Sequence, residues 1–577
     1  MDRWINSIYS DGTKGFVSAC TPSIGEKVKI SLRLLEGAPA EKIFLRRISN
    51  GAEQYIEMKL TKVLAGLAYY TAETVMNEPR LSYYFVIACK DVIYFYTQAG
   101  ITTYVPDDKH NFTLLSFYDQ PDWVKGAVYY QIFPTSYKDH SLYGVIEKIP
   151  YLKELGVTAV YLNPIFTAPS EHKYDCSDYF HVDETLGGDE ALASLSRALH
   201  ENGLKLILDI SINHTGIEYS WVKEKRHFYY KDDDGTLKGW AGYKGLPVLD
   251  YRNEELKDLI YRGKDSVLRK WLRPPYDIDG WRFDVGDVFG RNDDVQMADQ
   301  LWQEVCSAIR EEKKDAMIIG EHWGDCTEYL QGDLWNAPMN YFGFGRIIRQ
   351  FAGLPDLFLE RNDTLKKVPY KMTAQDLVKR TDEFYSLIPQ VIADCSMNLF
   401  DSHDVPRAHN CEGIDEDKWQ SMIMSQFLWT GIPCIYYGDE IGIDGYTHHD
   451  LGFRFAMPWD EEDARKNSWQ FKNYQLLNNL RRNEPAFAQG GRKVLFADGK
   501  IFAISRFLDD NIFVGIVSME GNPKKILLPI DIIGAGEPDG NTDVFGNEFI
   551  SRKIDNGLYE FTIPARKSFL IRMRAKA

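Results

Sequence analysis

Over the first ~120 residues the apolar positions fall in short runs. KVKISLRLL, AYYTAETV, LSYYFVIAC and DVIYFYT are rich in β-branched and aromatic residues and are separated by turn residues. That spacing predicts an all-β sandwich. No helical periodicity of useful length occurs there. Pro121, in YDQPDWVKG, interrupts the chain near residues 119–123, so a first domain is expected over 1–120.

From Val128 the pattern changes to alternating strands and helices. VYYQIFP reads as a buried strand, GVIEKIPYLKEL (144–155) as an amphipathic helix and VTAVYLNPI as a second strand. EALASLSRALHENG (190–203) is a helix with a glycine at its end. KLILDISINH, GWRFDV, MIIGEHW, PMNY, SMNLFDSHD and CIYYGDE supply strands three to eight. Eight strand–helix units predict a (β/α)8 TIM barrel over 121–489 rather than an open doubly wound sheet. No GxGxxG follows the first strand, against a dinucleotide site. The long polar stretch 214–250 after the third strand predicts a small inserted subdomain. Beyond Pro485 and Gly490–Gly491 the helical pattern stops. KVLFADGKIFAISRF, NIFVGIVSM and KKILLPI predict a second β-sandwich over 490–577.

Charge narrows the partners. With 67 Lys+Arg against 84 Asp+Glu the 577-residue chain carries −17, which excludes the basic footprint of a nucleic-acid or anionic-membrane binder. No apolar run reaches the ~18 residues of a spanning helix. The N-terminal MDRWINSIYSDGTKG lacks an apolar signal core, so a cytoplasmic location is expected. The cysteines are scattered without a CxxC pair, which predicts reduced thiols and no metal cluster. Aromatic residues make 14% of the chain, and flat faces with polar tips suit sugar rings.

In a TIM barrel the chemistry sits at the C-terminal ends of the strands. Those positions hold His172 and Tyr174 (second strand), Asp209, Asn213 and His214 (third), Arg282 and Asp284 (fourth), Glu321 (fifth), and His403, Asp404 and Arg407 (seventh). The set has no serine or thiol nucleophile beside a histidine in a known pattern, and no HxH or HExxH. Carboxylates on neighbouring strands fit glycoside hydrolysis, one attacking the anomeric carbon and one working as acid and then base. A structural ion pair is the plainer reading of Arg282 with Asp284 alone; Glu321 and His403–Asp404 alongside favour catalysis.

DISINH, GWRFDV, GEHW and SHD resemble, in order and on the expected strands, the signature regions of the α-amylase family of retaining glycoside hydrolases. YDQPDWVKGAVYYQIFP, NPIFTAPSEHKYDCSDYFHVD and the RLSYYFVI…VIYFYT…PDD stretch resemble its neopullulanase, cyclomaltodextrinase and maltogenic amylase branch, whose members carry an N-terminal β-sandwich. The resemblance implies Asp284 as nucleophile, Glu321 as general acid/base and Asp404 as transition-state stabiliser. It implies Tyr174 as a stacking platform and His172, His214 and His403 as hydroxyl contacts. Asp209 would hold the Arg282 network, Asp450 and Arg454 (DLGFRFAMPW) would clamp donor sugars, and Trp323 would stack on the acceptor side.

The activity implied is cytoplasmic hydrolysis of α-1,4 bonds, with α-1,6 bonds as a further option, in maltodextrins, cyclodextrins or pullulan. A maltodextrin glucosidase or glucan transferase on the same scaffold is the alternative, and a non-catalytic binding barrel the reading from another class. The sequence departs from the branch at three points. The first-strand segment QIFPTSYKDHSLYGVIEK is too short and carboxylate-poor for the branch's calcium loop, so no metal or other cofactor is expected. Gly286, Asp287 and Val288 stand where Ala-Asn-Glu is usual, which leaves the balance of transfer and hydrolysis open. LPVLD (246–250) replaces Met-Pro-Lys-Leu-Asn, which leaves linkage preference open. The branch's habit also implies a homodimer through the N-terminal domain. Tyr69, Tyr70, Tyr83, Tyr84, Phe85, Tyr94, Phe95 and Tyr96 are more aromatics than one small core needs, so some are expected on an outer, partner-binding face.

Overall fold

The computed structural model describes residues 2–359, 363–365, 371–445 and 452–577. Its centre is a parallel barrel of eight strands: Tyr129–Ile132, Ala159–Leu162, Lys205–Ile210, Gly280–Phe283, Met317–Gly320, Ala337–Pro338, Met397–Asn398 and Ile432–Tyr436. The eighth returns to the first, with Tyr129 opposite Cys434. The sixth and seventh meet through the parallel bridge Met339–Met397, where the Asn340 N–H donates to the Met397 carbonyl at 2.8 Å. All eight expected strands are present. Strand alternation sends Tyr129, Tyr161, Ile207, Met317 and Ile319 into one buried cluster, the barrel interior. Tyr130, Val160, Leu206, Leu208, Trp281 and Ile318 go to the larger cluster under the helices.

One expected unit differs. Between Gly320 and Ala337 there is a single 3-10 turn, Thr327–Tyr329, and no α-helix. The connection is short, and Tyr329, Leu330, Leu334 and Trp335 cover the barrel wall directly. The N-terminal domain reaches this segment: Arg80 Nη2 donates to the Gln331 carbonyl at 2.8 Å, and Gly332 lies against Leu115 and Phe117. The first domain therefore shields the wall that a fifth helix would cover.

The flanking domains are β-sheets. Lys27–Leu35, Leu67–Val75 and Lys59–Leu64 form one sheet of the N-terminal sandwich, and Ala40–Ser49, Ala52–Glu57, Arg80–Cys89, Ile93–Thr97, Gly100–Thr102 and Phe112–Leu115 the other. The C-terminal region has a five-stranded and a three-stranded sheet. The expected outer aromatic face is absent. Tyr69, Tyr83, Tyr84 and Phe85 are buried, and Tyr70, Tyr94, Phe95 and Tyr96 half-buried. Tyr94 and Tyr96, opposite Ile87 and Phe85, pack on the sandwich core with the N-terminal segment, Trp4 lying edge-on to Tyr94 at 5.5 Å and the Ser10 carbonyl accepting from Tyr96 Oη at 3.1 Å. The Arg46 guanidinium lies over Tyr84 at 4.8 Å. Within 214–250 the chain forms a short helix, Trp221–Glu224, and the hairpin Gly239–Trp240 with Tyr243–Pro247. Among the described residues no helix is long and apolar enough to cross a membrane.

Gly320 ends the fifth strand, one residue before Glu321. A Cβ there would stand 2.3–2.5 Å from the Trp335 indole. That ring is fully buried, stacked on Tyr329 at 4.3 Å and edge-on to Trp302 at 5.1 Å. Gly320→Ala is expected to cost about 1–3 kcal/mol through overpacking and to lower the melting temperature by several degrees. An unchanged thermal transition would show that the indole yields freely.

Candidate active site

The inward series of three adjacent strands builds the site. Ile207 and Asp209, Arg282 and Asp284, Ile319 and Glu321 are each two residues apart, so each polar group continues an apolar interior row at the strand end. Two of these polar groups, Asp209 and Arg282, are fully buried.

Arg282 is the hub. Its Nη1 donates to Asp209 Oδ1 and Oδ2 at 2.8 and 2.9 Å and to Asp284 Oδ1 at 3.3 Å. Its Nη2 lies 2.9 Å from Glu321 Oε2. One guanidinium thus holds the Asp284 and Glu321 carboxyls side by side. Glu321 is fixed at both oxygens: the Val285 N–H donates to Oε2 at 2.7 Å and Trp323 Nε1 to Oε1 at 3.0 Å. Val285 reaches Glu321 with φ +43°, the left-handed region that β-branched residues avoid.

Opposite stands a second network. Tyr174 Oη donates to Asp209 Oδ2 at 2.9 Å and contacts His403 Nε2 at 2.6 Å, its ring stacked on that imidazole at 5.5 Å. His403 Nε2 is 3.0 Å from Asp404 Oδ2. Arg454 donates through Nη2 to Asp404 Oδ1 at 3.2 Å and through Nε to the His403 carbonyl at 3.0 Å. His172 stacks on Tyr174 at 5.9 Å, and His214 on Trp240 of the inserted hairpin at 5.4 Å. Trp323 has one face against Tyr341 at 3.8 Å, nearly parallel.

Burial and the neighbouring Glu321 push Asp284 well above the ordinary carboxylate range, with Arg282 opposing. Burial also raises Glu321, again against Arg282. One cation cannot neutralise Asp209, Asp284 and Glu321 together, so both members of the pair are pushed toward their protonated forms. Asp404 moves the other way. Its withdrawal from solvent would raise it, but His403, Arg454 and Arg282 outweigh that and hold it well below the usual range. Burial, then His172, pushes the His214 imidazole down to about 3, so it acts as a neutral hydrogen-bonding group. A protonated acid beside a carboxylate, with a third carboxylate kept ionised nearby, is the apparatus for acid-assisted displacement at an acetal carbon.

Arg407 does not join the mouth: it is fully buried and donates to Asp439 Oδ1 at 2.6 Å. Asp450 lies outside the described residues. Sequence reading missed Gln131, Asn163 and Tyr161. Gln131 and Asn163 amides contact His403 Nδ1 at 2.9 and 3.1 Å, and Tyr161 Oη donates to Asp209 Oδ2 at 2.7 Å. All three occupy the inward rows of strands one and two, a signal that could have found them. Among the described residues Asp401, His409 and Asp439 are spaced to hold a metal ion. Asp401, however, is paired with Arg349 at 2.8 Å and Asp439 with Arg407, two guanidiniums that oppose a dication.

The model of the alpha-amylase catalytic domain matches residues 131–241 and 237–482. The chain is 30% identical over 537 residues to a cyclomaltodextrinase of Geobacillus thermopakistaniensis, covering 84% of this chain and 86% of that protein. It is also 30% identical over 498 residues to an intracellular maltogenic amylase of Bacillus subtilis, covering 77% and 79%. A solved cyclomaltodextrinase structure superimposes with TM-score 0.70 at 24% identity, over 99% of this chain and 100% of that one, which shows the shared fold. Fold and site together define a barrel glycoside hydrolase. The chain belongs to the alpha-amylase family.

Charge crowding has a sign. Asp284 and Glu321 both bind protons more readily in the folded chain than in the unfolded one. Stability therefore falls as pH rises from about 4, the ordinary carboxylate range, through their raised values. Asp284→Asn and Glu321→Gln are each expected to raise the melting temperature at pH 7 by a few degrees. A lower melting temperature for both, by calorimetry, would refute the crowding.

Proposed function

We propose that this chain hydrolyses α-glucosidic bonds of maltodextrins, cyclodextrins or pullulan by double displacement with retention of configuration. One observation carries the reading: a single buried guanidinium contacts Asp209, Asp284 and Glu321 at 2.8, 3.3 and 2.9 Å. Asp284 attacks the anomeric carbon while Glu321 protonates the departing glycosidic oxygen, leaving a covalent glycosyl–Asp284 ester. Glu321, now a carboxylate, takes a proton from water, and the water oxygen displaces Asp284. Asp404, held ionised, accepts from sugar hydroxyls and offsets the positive charge of the oxocarbenium-like transition state. Tyr174 and the histidines His172, His214 and His403 line the sugar's position, with Arg454 on the donor side and Trp323 on the acceptor side.

The reading needs no metal. In the first-strand loop the Asp139 carboxylate is paired with Lys138 at 2.8 Å. The cytoplasm is its place of action, in keeping with the intracellular maltogenic amylase it resembles. Glucan transfer is the second reading, left open by the Gly286-Asp287-Val288 segment that follows Asp284. Maltoheptaose products longer than the substrate would select it.

Asp284→Asn is expected to lose about 10³-fold or more in turnover on maltoheptaose, cyclodextrin and pullulan, and the wild type to release the α anomer first. Activity above a tenth of wild type, or early β anomer by NMR before mutarotation, would overturn the assignment.

The homodimer belongs to the same reading, now on other residues. Tyr104 and Val105 are each 70% exposed, and the edge strand Lys59–Leu64 presents Leu60 at 55%. Sedimentation at micromolar concentration is expected to show a dimer that Leu60→Lys with Tyr104→Lys dissociates. A wild-type monomer would refute it.

A further inference from the structure

Arg454 contacts Asp404 from the segment that follows the eighth strand, and three consecutive backbone carbonyls of that segment are each held by a side-chain hydroxyl of the barrel. Tyr436 Oη donates to the Phe453 carbonyl at 2.7 Å, Ser136 Oγ to the Arg454 carbonyl at 2.6 Å, and Tyr437 Oη to the Phe455 carbonyl at 2.7 Å. The Met457 N–H closes the attachment by donating to the Ser136 carbonyl at 2.9 Å.

The two tyrosines are themselves immobile. Both are fully buried, with rings 4.8 Å apart, and the Arg407 guanidinium lies over them at 4.3 and 5.1 Å. Arg407 is pinned by Asp439. This explains why a strand-end arginine turns away from the mouth: it is the rear wall of the tyrosine pair. At the other end the Arg454 guanidinium lies over Phe133 at 5.0 Å and donates to Asp404 and the His403 carbonyl. A long arginine side chain loses rotamer entropy when held in one geometry. Fixing its backbone at three successive carbonyls removes much of the freedom that would otherwise oppose the contact.

Resting on the function proposed above, we infer that Tyr436, Tyr437 and Ser136 are positioning residues that hold Arg454 against Asp404. Through it they set the charge and aim of the transition-state-stabilising carboxylate. None of the three needs to touch substrate.

The test is a double-mutant cycle on maltoheptaose, with kcat and KM measured separately and melting temperature followed in every variant. Tyr436→Phe with Tyr437→Phe is expected to lower kcat/KM about tenfold, the scale of two hydrogen bonds, mainly in kcat. In an Arg454→Ala background the same two changes should add less than twofold, because the residue they act through is gone. Ser136→Ala should lower kcat, and Ser136→Thr, which keeps the hydroxyl, should restore most of it. If the tyrosine pair cannot be altered without unfolding, the Ser136 variants alone, with and without Arg454→Ala, decide. Full additive losses in the Arg454→Ala background, or wild-type kcat in the hydroxyl-deleted variants, would overturn the inference while leaving the function intact. A wild type that turns over no α-glucan would overturn the function, and this inference with it.

Discussion

A single buried cation organises this molecule's mouth. Arg282 has no access to water and faces three carboxylates, and a guanidinium in that position must be paired or it destabilises the barrel by several kcal/mol. The pairing is asymmetric. Asp209 takes two hydrogen bonds and Tyr161 and Tyr174 complete its shell, so its charge is satisfied structurally. Asp284 and Glu321 receive what remains of the guanidinium, too little for two full charges. The consequence is that both carboxyls are pushed toward protonation at neighbouring strand ends. Chemistry and instability have the same origin here, as expected where activity requires strained electrostatics.

How much of this was legible in the sequence follows from periodicity. Two residues per strand repeat put Asp209, Arg282, Asp284 and Glu321 on the interior rows, so their convergence could be read from DISINH, GWRFDV and GEHW once a barrel was assumed. The same rule names Gln131, Tyr161 and Asn163, which were passed over because they carry no charge. Arg407 shows the rule's limit. It lies past the strand, where the chain direction is set by loop packing, and its partner Asp439 is 32 residues away in sequence. The missing fifth helix was illegible for a similar reason. Its replacement, the N-terminal domain at Gln331 and Gly332, is contributed by chain more than 200 residues earlier. The aromatic strands of that domain misled because alternation states which residues share a face and says nothing about what covers it.

Packing explains one departure from the family pattern. Gly286 stands where alanine is usual, and a Cβ there would approach the Trp335 ring to 3.0 Å, while Trp302 Nε1 donates to its carbonyl at 3.2 Å. The same indole closes on Gly320. The backbone just before Glu321 and just after Asp284 therefore rests on one aromatic ring, itself placed by the segment that substitutes for a helix. Tight packing thus disfavours a larger residue at 286 independently of acceptor binding.

The left-handed turn at Val285 links these observations. A β-branched residue at φ +43° costs of order 1–3 kcal/mol, and that cost persists only where surrounding structure over-determines it. Here Trp302 holds the next carbonyl, the Trp335 ring packs close to Gly286, and Glu321 accepts the Val285 N–H at 2.7 Å. The turn gives Glu321 an uncharged donor, which orients the carboxyl without supplying the positive charge that would strip its proton as strongly as a second cation would. Orientation and protonation are thereby separated. The backbone fixes where Glu321 points, the shortage of cations pushes the pair toward protonation, and the aromatic cluster behind the strands supports the geometry that allows both.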